Sequence, residues 1–219
     1  WRSNVGVAVS DSPLGPFIDK GCLIDSKVIG VQNSIDQFFY EDNGKKYMFW
    51  GSFRGIYATE LTDNGLEIKK KTDGTPVLKK RICGNRFEGT NIYKRGEYYY
   101  LFASIGTCCN GATSTYQTVV GRSKNVLGPY LDKTGRDMLY DYCEIIMSGN
   151  ETWAGPGHNS ILVQDDVGTD WIIYHGYKKK EAENGRYVLM DKLIWSNDGW
   201  PSVKSNAPSI LEVAPYFQK

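Results

Sequence analysis

Three side chains able to do chemistry stand at comparable places in this sequence. Asp36 lies eight residues before Gly44 in NSIDQFFYEDNGKKYMFWGS (33–52), and Glu88 lies eight residues before Gly96 in RFEGTNIYKRGEYYYLFAS (86–104). His158 lies ten residues before Gly168 in GHNSILVQDDVGTDWIIYHGY (157–177). A carboxylate at the mouth of an apolar run is costly unless it is paired, solvated or used. Taken singly, Asp36 reads as a strand-end turn cap and Glu88 as an exposed loop acid. Turn capping does not explain two carboxylates at one offset in consecutive units, so the pair reads as acid–base equipment of a shared site. His158 could hold a cation or its waters there, although a lone histidine is more often a satisfied structural residue. His175, in YHGY, reads as packing or hydrogen bonding within its own unit. Trp50, Phe53 and Trp153 fall near the same mouth, where a ring could stack on a sugar or simply pack.

The elements that must position these groups are short strands. VGVAVS, DQFFYEDNGKKYMFWGS, TNIYKRGEYYYLFAS, YQTVVGRS, SILVQDDVGTDWIIYHGY and RYVLMDKLIW alternate or run aromatic, and Gly, Asn and Asp punctuate them. Each pair around a turn reads as a hairpin. Fifteen Tyr, eight Phe, six Trp and 24 Gly in 219 residues support an all-β chain rich in turns. Hairpins recurring at 50 to 70 residues suggest an array of β-propeller blades. A second element also repeats: SDSPLGPFIDKG (10–21) and SKNVLGPYLDKTG (123–135) each follow a strand with Ser, a Gly-Pro-aromatic turn and Asp-Lys. Propeller blades place their first strands nearest the axis, so Asp36, Glu88 and His158 are expected to meet at one mouth of it.

Composition narrows the partners. A net charge of +1 argues against a nucleic-acid partner, which wants a concentrated basic face. The lysine runs at 69–71 and 178–180 read as solvated loops. No apolar run approaches the roughly 18 residues that a membrane helix needs. The opening WRSNVGVAVS already reads as a strand, so its first residue is not expected to be the natural start of the domain. The five cysteines show no zinc spacing, and the adjacency of Cys108 and Cys109 disfavours a disulfide between them. Cys22, Cys83 and Cys143 read as buried thiols.

At these residues the chain resembles glycoside hydrolase family 43, five-bladed β-propeller enzymes that cleave arabinans, xylans and related side chains. The matching stretches are NSIDQFFYEDNGKKYMFWGS, FEGTNIYKRGEYYYLFAS, GPGHNS and RYVLMDKLIWSNDGWP. CCNGATSTYQTVVGRSKNVLGPYLDKTG is similar in particular to the endo-1,5-α-L-arabinanase branch. The resemblance implies an inverting glycosidase with an Asp general base, a Glu general acid and an Asp that orients and tunes that acid. Glu88 matches the acid and Asp36 the tuning Asp. His158 matches a histidine beside a central cation, usually calcium, held largely through waters. Arg186 matches an arginine that reaches toward substrate, and Asn33 and Ser52 fall where such enzymes line the pocket. Gln37 and Thr90 depart from the prolines usual at those two positions.

No Asp before Asp36 matches the general base, which the family carries in its first blade. The whole chain, 1–219, is therefore expected to be a partial propeller domain supplying the end of blade two and blades three to five. A missing N-terminal segment or companion chain would supply the rest. Inverting hydrolysis needs an acid and a base roughly 6.5–9.5 Å apart. A second carboxylate near the acid helps it hold its proton through like-charge repulsion. The expected substrate is an arabinan-type polysaccharide or oligosaccharide, and residence is expected to be secreted or periplasmic. An exo-acting β-xylosidase or α-L-arabinofuranosidase is the near alternative. A non-catalytic glycan-binding propeller is the alternative from another class.

Overall fold

Alternation of apolar and polar residues, broken by residues that accept left-handed backbone, dictates antiparallel hairpins, and hairpins are what the chain forms. The computed structural model describes residues 3–218; Trp1 and Arg2, at the head of the expected first strand, lie outside it. Strands β1 (Asn4–Val9) and β2 (Ile18–Asp25) form a two-stranded sheet. Helix α1 (Ser26–Ile29) follows, with Asp25 accepting from the Lys27 and Val28 amides and Gly30 in the left-handed region at its end. A four-stranded meander comprises β3 (Phe38–Asp42), β4 (Lys45–Trp50), β5 (Ile56–Glu60) and β6 (Lys79–Cys83). A second comprises β7 (Glu88–Arg95), β8 (Tyr98–Ile105), β9 (Gln117–Ser123) and β10 (Glu144–Met147).

The last large sheet is less regular. Both β11 (Trp153–Gly157) and the short β12 (Val163–Gln164) pair with β13 (Asp170–Lys178), which also pairs with β14 (Tyr187–Lys192). The expected single strand SILVQ is thus only two residues long, and His158 lies in the link between β11 and β12. A small ladder of β15 (Ile194–Trp195) and β16 (Pro201–Ser202) follows.

The turns explain the registers. Asn43 and Gly44 both have positive φ, 50° and 74°, the geometry that favours Asn-Gly in two-residue hairpin loops. Asp42 therefore pairs with Lys45 and Phe38 with Phe49. In the next hairpin the loop is Gly96–Glu97, with Gly96 at φ 58° and Arg95 paired with Tyr98. The two glycines occupy different loop positions, so equal spacing from them is not equal strand register. Asp36 precedes β3, whereas Glu88 opens β7, and an irregularity between Glu88 and Asn91 absorbs the difference.

Side chains between neighbouring sheets form three cores. Val5, Ile24 and Val31 meet Met48, Trp50 and Leu61 between the first two sheets. Phe49, Ile56 and Phe87 meet Leu101, Val119 and Tyr130 between the two meanders. Phe102, Val120 and Met147 meet Ile172, Leu193 and Trp200 beyond them. Sheets therefore pack face to face in chain order. Each core draws on two consecutive sheets.

One expectation is overturned. Cys108 and Cys109 form a disulfide, with their Cα atoms 3.8 Å apart. A trans peptide fixes that separation, which is below the usual 4.4–6.8 Å of disulfides and is why adjacency argues against a bond. The pair lies in the loop between β8 and β9, which the Thr107 and Thr115 hydroxyls close at 2.9 Å. Cys22, Cys83 and Cys143 are free thiols as expected, but only Cys83 is buried: Cys143 is half-buried and Cys22, on a strand of the two-stranded sheet, is exposed.

Candidate active site

Left-handed backbone marks the site. Eight non-glycine residues have positive φ among the described residues, and four of them are Asn33, Asp36, Phe53 and His158, between 49° and 56°. Such residues are uncommon and gather where a side chain must be aimed rather than packed. Asp36 leads into β3, His158 follows β11, and Gly89 lies between them at φ 63°. A Cβ on Gly89 would sit 3.1 Å from the His158 ring, so glycine lets ring and backbone close up. The Gly89 amide donates to Asp36.

Glu88 is buried, and both of its oxygens are engaged. Tyr116 donates its phenol to Oε1 at 2.5 Å, and the Ser52 hydroxyl donates to Oε2 at 2.7 Å. Ser52 is itself held, because the Asn33 side-chain amide donates to its carbonyl at 2.9 Å. On the other side, the Ser104 hydroxyl accepts the His158 amide at 2.7 Å. Burial first, and the Glu88 charge second, push the Tyr116 phenol far above its ordinary range, so it stays a donor.

Beside Glu88 lies a cleft of about 310 Å³ lined by Asp36, Phe38, Thr90, Asn91, His158 and Asn159. Burial holds the Asp36 carboxyl above the usual carboxylate range; the His158 charge opposes this, while the Glu88 charge adds to it. Among the described residues, five buried side-chain polar atoms have no hydrogen-bond partner. They are Asp36 Oδ2, Thr90 Oγ1, Asn91 Oδ1, Asn159 Oδ1 and His175 Nδ1. Four belong to the lining of this one cleft. Buried polar groups are almost always satisfied, so such a concentration marks a place where something else binds.

His175 is the fifth. Its ring stacks on Tyr116 at 5.8 Å and on His158 at 6.3 Å. Burial, then the positive charges of Arg186 and His158, push it down to about 4, which keeps it neutral at ordinary pH. Arg186 is exposed and its Nη1 lies 3.5 Å from His175 Nε2.

The fold thus gathers Asp36, Glu88 and His158, with Asn33 and Ser52 directly behind the acid and Arg186 at the edge of the histidine stack. It removes two of the three candidate aromatic platforms. Trp50 is 0% exposed in the core, with its indole N–H on Ser34 Oγ at 3.0 Å, and cannot face a sugar. Trp153 is buried too, edge-on to Tyr187 and donating to the Ser209 carbonyl at 3.2 Å. Only Phe53 of the three keeps part of its surface open. The sequence reading missed Tyr116 and Ser104, and it placed His175 among packing residues. The one available signal for Tyr116 was a lone aromatic at the head of an otherwise aliphatic strand, QTVV.

Known proteins similar to this chain share one family. The model of glycosyl hydrolases family 43 matches residues 1–201. An extracellular exo-α-(1→5)-L-arabinofuranosidase of Cellvibrio japonicus is 35% identical, over 92% of this chain and 62% of its own length. An extracellular endo-α-(1→5)-L-arabinanase of Bacillus subtilis is also 35% identical, over 91% of this chain and 60% of its own. The structure of Cellvibrio cellulosa α-L-arabinanase complexed with arabinohexaose superimposes with a TM-score of 0.77 at 33% identity, covering 92% and 69% of the two chains. The chain therefore spans about three-fifths of the length of the curated relatives it matches.

Proposed function

The chain belongs to glycosyl hydrolase family 43, and on that premise we propose that it carries the acid half of an inverting glycosidase site acting on α-L-arabinofuranosyl linkages. The observation that carries the reading is Glu88: a buried carboxylate with one hydroxyl donor on each oxygen, beside a second acid, Asp36, at an open cleft. Glu88 is the general acid. Asp36 is the neighbour that orients it. The proton of the Glu88 carboxyl passes to the glycosidic oxygen as the bond to the anomeric carbon breaks. A base on the opposite face activates the attacking water. In this proposal Asn33 and Ser52 fix the acid, while Arg186 and Phe53 meet the sugar. The two relatives above, one exo-acting and one endo-acting by name, make arabinan or its oligosaccharides the substrate to test first; product sizes separate the two modes.

Among the described residues, the cleft beside Glu88 offers Asp36 and no further carboxylate in its lining. The base is therefore assigned to a part of the protein upstream of this chain, or to a companion chain. With it would come the rest of a five-bladed propeller, of which this chain, as one partial domain, supplies the end of blade two and blades three to five. Two features support the assignment: the connection between β1 and β2 exposes Leu14 and Phe17, with Ile18 exposed at the start of β2, and among the described residues β1 pairs on one side only. Residence outside the cell follows from the substrate and from the two relatives named extracellular.

A calcium ion is the proposed cofactor. Among the described residues no group of three His, Cys, Asp or Glu could hold a metal directly, so contact would run largely through water. The lone oxygens of Asp36, Asn91 and Asn159 near His158 suit a hard, hydrated cation. When bound it would add positive charge at the axis.

The test is hydrolysis of arabinan by the chain with its upstream segment and without it. Activity is expected only with the segment, and Glu88→Gln should lower it about 10²- to 10⁴-fold. Full activity of the 219-residue chain alone would remove the upstream base. Glycan binding without hydrolysis by the completed protein would favour a binding propeller.

A further inference from the structure

We propose that Tyr116 is the positioning residue of the acid: it aims the Glu88 carboxyl and holds the carboxylate left behind when the proton has gone. The inference rests on the glycosidase reading above and adds a residue that the reading does not need.

The contact itself is the first argument. At 2.5 Å, Tyr116 to Glu88 Oε1 is within the range of hydroxyl donors to carboxylates, the stronger kind of hydrogen bond. The second argument is that the donor cannot turn away. Its other polar neighbour, His158 Nδ1, is 3.5 Å off, too far for a good bond. The third is rigidity. Tyr116 is fully buried, its ring lies nearly parallel to that of His175, and its edge occupies the space a side chain on Gly157 would need. A Cβ there would stand 2.4 Å from the ring. Glycine in β11 therefore exists, in this reading, to let the phenol reach Glu88.

The two donors on Glu88 are not equivalent. Ser52 can rotate its hydroxyl to accept, whereas Tyr116 is committed to donating. The acid proton accordingly belongs on Oε2, the Ser52 side, while Oε1 stays the carbonyl oxygen under the phenol. When that proton moves to the glycosidic oxygen, the electron pair of the breaking bond goes to the leaving group. The negative charge appearing on Glu88 is met by a donor already in place, which is where prepositioned dipoles help most.

The experiment uses the full-length protein with Tyr116→Phe and two substrates. One is an arabino-oligosaccharide, whose leaving sugar needs a proton. The other is a 2,4-dinitrophenyl arabinofuranoside, whose leaving group does not. On the oligosaccharide kcat should fall about ten- to a hundredfold with KM nearly unchanged, and on the aryl substrate by less than about threefold. In a Glu88→Gln background Tyr116→Phe should cost nothing further, because it acts through the acid. Equal losses on both substrates, no loss on either, or full additivity with Glu88→Gln would overturn the proposal while leaving the glycosidase reading standing. Unsubstituted full-length protein inert toward both substrates would overturn that reading and this one with it.

Discussion

Ser10 and Ser123 each accept the backbone N–H two residues on, at 3.1 and 3.0 Å. Gly15 and Gly128 each donate back to the carbonyl three residues earlier, at 3.0 and 2.9 Å, and both have φ near 80°. Through these bonds SDSPLGPF and SKNVLGPY are the same turn built twice. Their surroundings are opposite. Tyr130 is fully buried between the two meanders, its hydroxyl on the Val126 carbonyl at 2.7 Å, whereas its counterpart Phe17 is 60% exposed and Leu14 is 95% exposed. The turn is written in local chemistry; whether its aromatic residue is a core residue depends on a preceding sheet. The second copy has β3–β6 in front of it. The first has no described sheet there, and the proposed upstream blade is what would cover it.

The largest effect expected from this difference lies in the two aromatics. Tyr130→Ala should cost about 3–5 kcal/mol, the usual loss for a large buried ring, measured by urea unfolding. Phe17→Ala in the 219-residue chain should stay within about 0.5 kcal/mol, as for a surface change. With the upstream segment attached, its cost should rise to about 2 kcal/mol or more. If Phe17→Ala stays silent in the completed protein, the covering blade is absent. A cost in the short chain matching that of Tyr130→Ala would mean the ring already packs.

The same distinction explains how much could be read from the sequence. Hairpins, their turns and the all-β class were legible because Asn43–Gly44, Gly96 and alternating runs act locally. The acids of the site were legible because Asp36 and Glu88 repeat at a near-constant spacing, even though their loops differ by one position. Trp50 and Trp153 were misread as platform candidates, since a strand residue such as Trp50 points to one face or the other, and only the partner sheet decides which face is core. Its indole is satisfied by Ser34, sixteen residues away. Tyr116 meets Glu88 across 28 residues and a loop of no fixed period, so no spacing rule could announce it.

An intermediate effect is expected at the next aligned pair, Asp19 and Asp132. Asp19 accepts one amide, that of Gly21, at 2.8 Å. Asp132 is buried and accepts from the Thr134 amide and hydroxyl and from the Arg136 amide and guanidinium, all at 2.8–2.9 Å. Burial alone would raise its pKa, but these donors outweigh it and hold the carboxyl below its ordinary range. A folded-state pKa below the unfolded one stabilises the fold above the unfolded value, near 4, and that stability is lost as pH falls through the lower, folded value. Asp132→Asn should therefore cost about 1–3 kcal/mol at pH 7, and the gap to the unsubstituted protein should narrow below pH 4. Asp19→Asn should stay within about 0.5 kcal/mol at either pH. A gap at Asp132 that persists unchanged at pH 3 would show that packing, and not the charge, carries the effect.

The smallest effect belongs to the feature the copies share. The Ser10 and Ser123 hydroxyls each satisfy an amide inside their own turn, a bond whose donor and acceptor lie two residues apart and need no other sheet. Ser→Ala at either place should cost about 0.5–1 kcal/mol, the ordinary net worth of one such bond. The two costs should agree within the error of the unfolding measurement, although Ser123 is the more buried of the two. Agreement would mean that the turn is specified before the sheets meet, and that the exposed copy is a finished element waiting for its neighbour. A clearly larger loss at Ser123 would mean the reverse: the buried copy keeps its shape partly through the core around Tyr130, and the resemblance between the turns overstates how much their sequences alone determine.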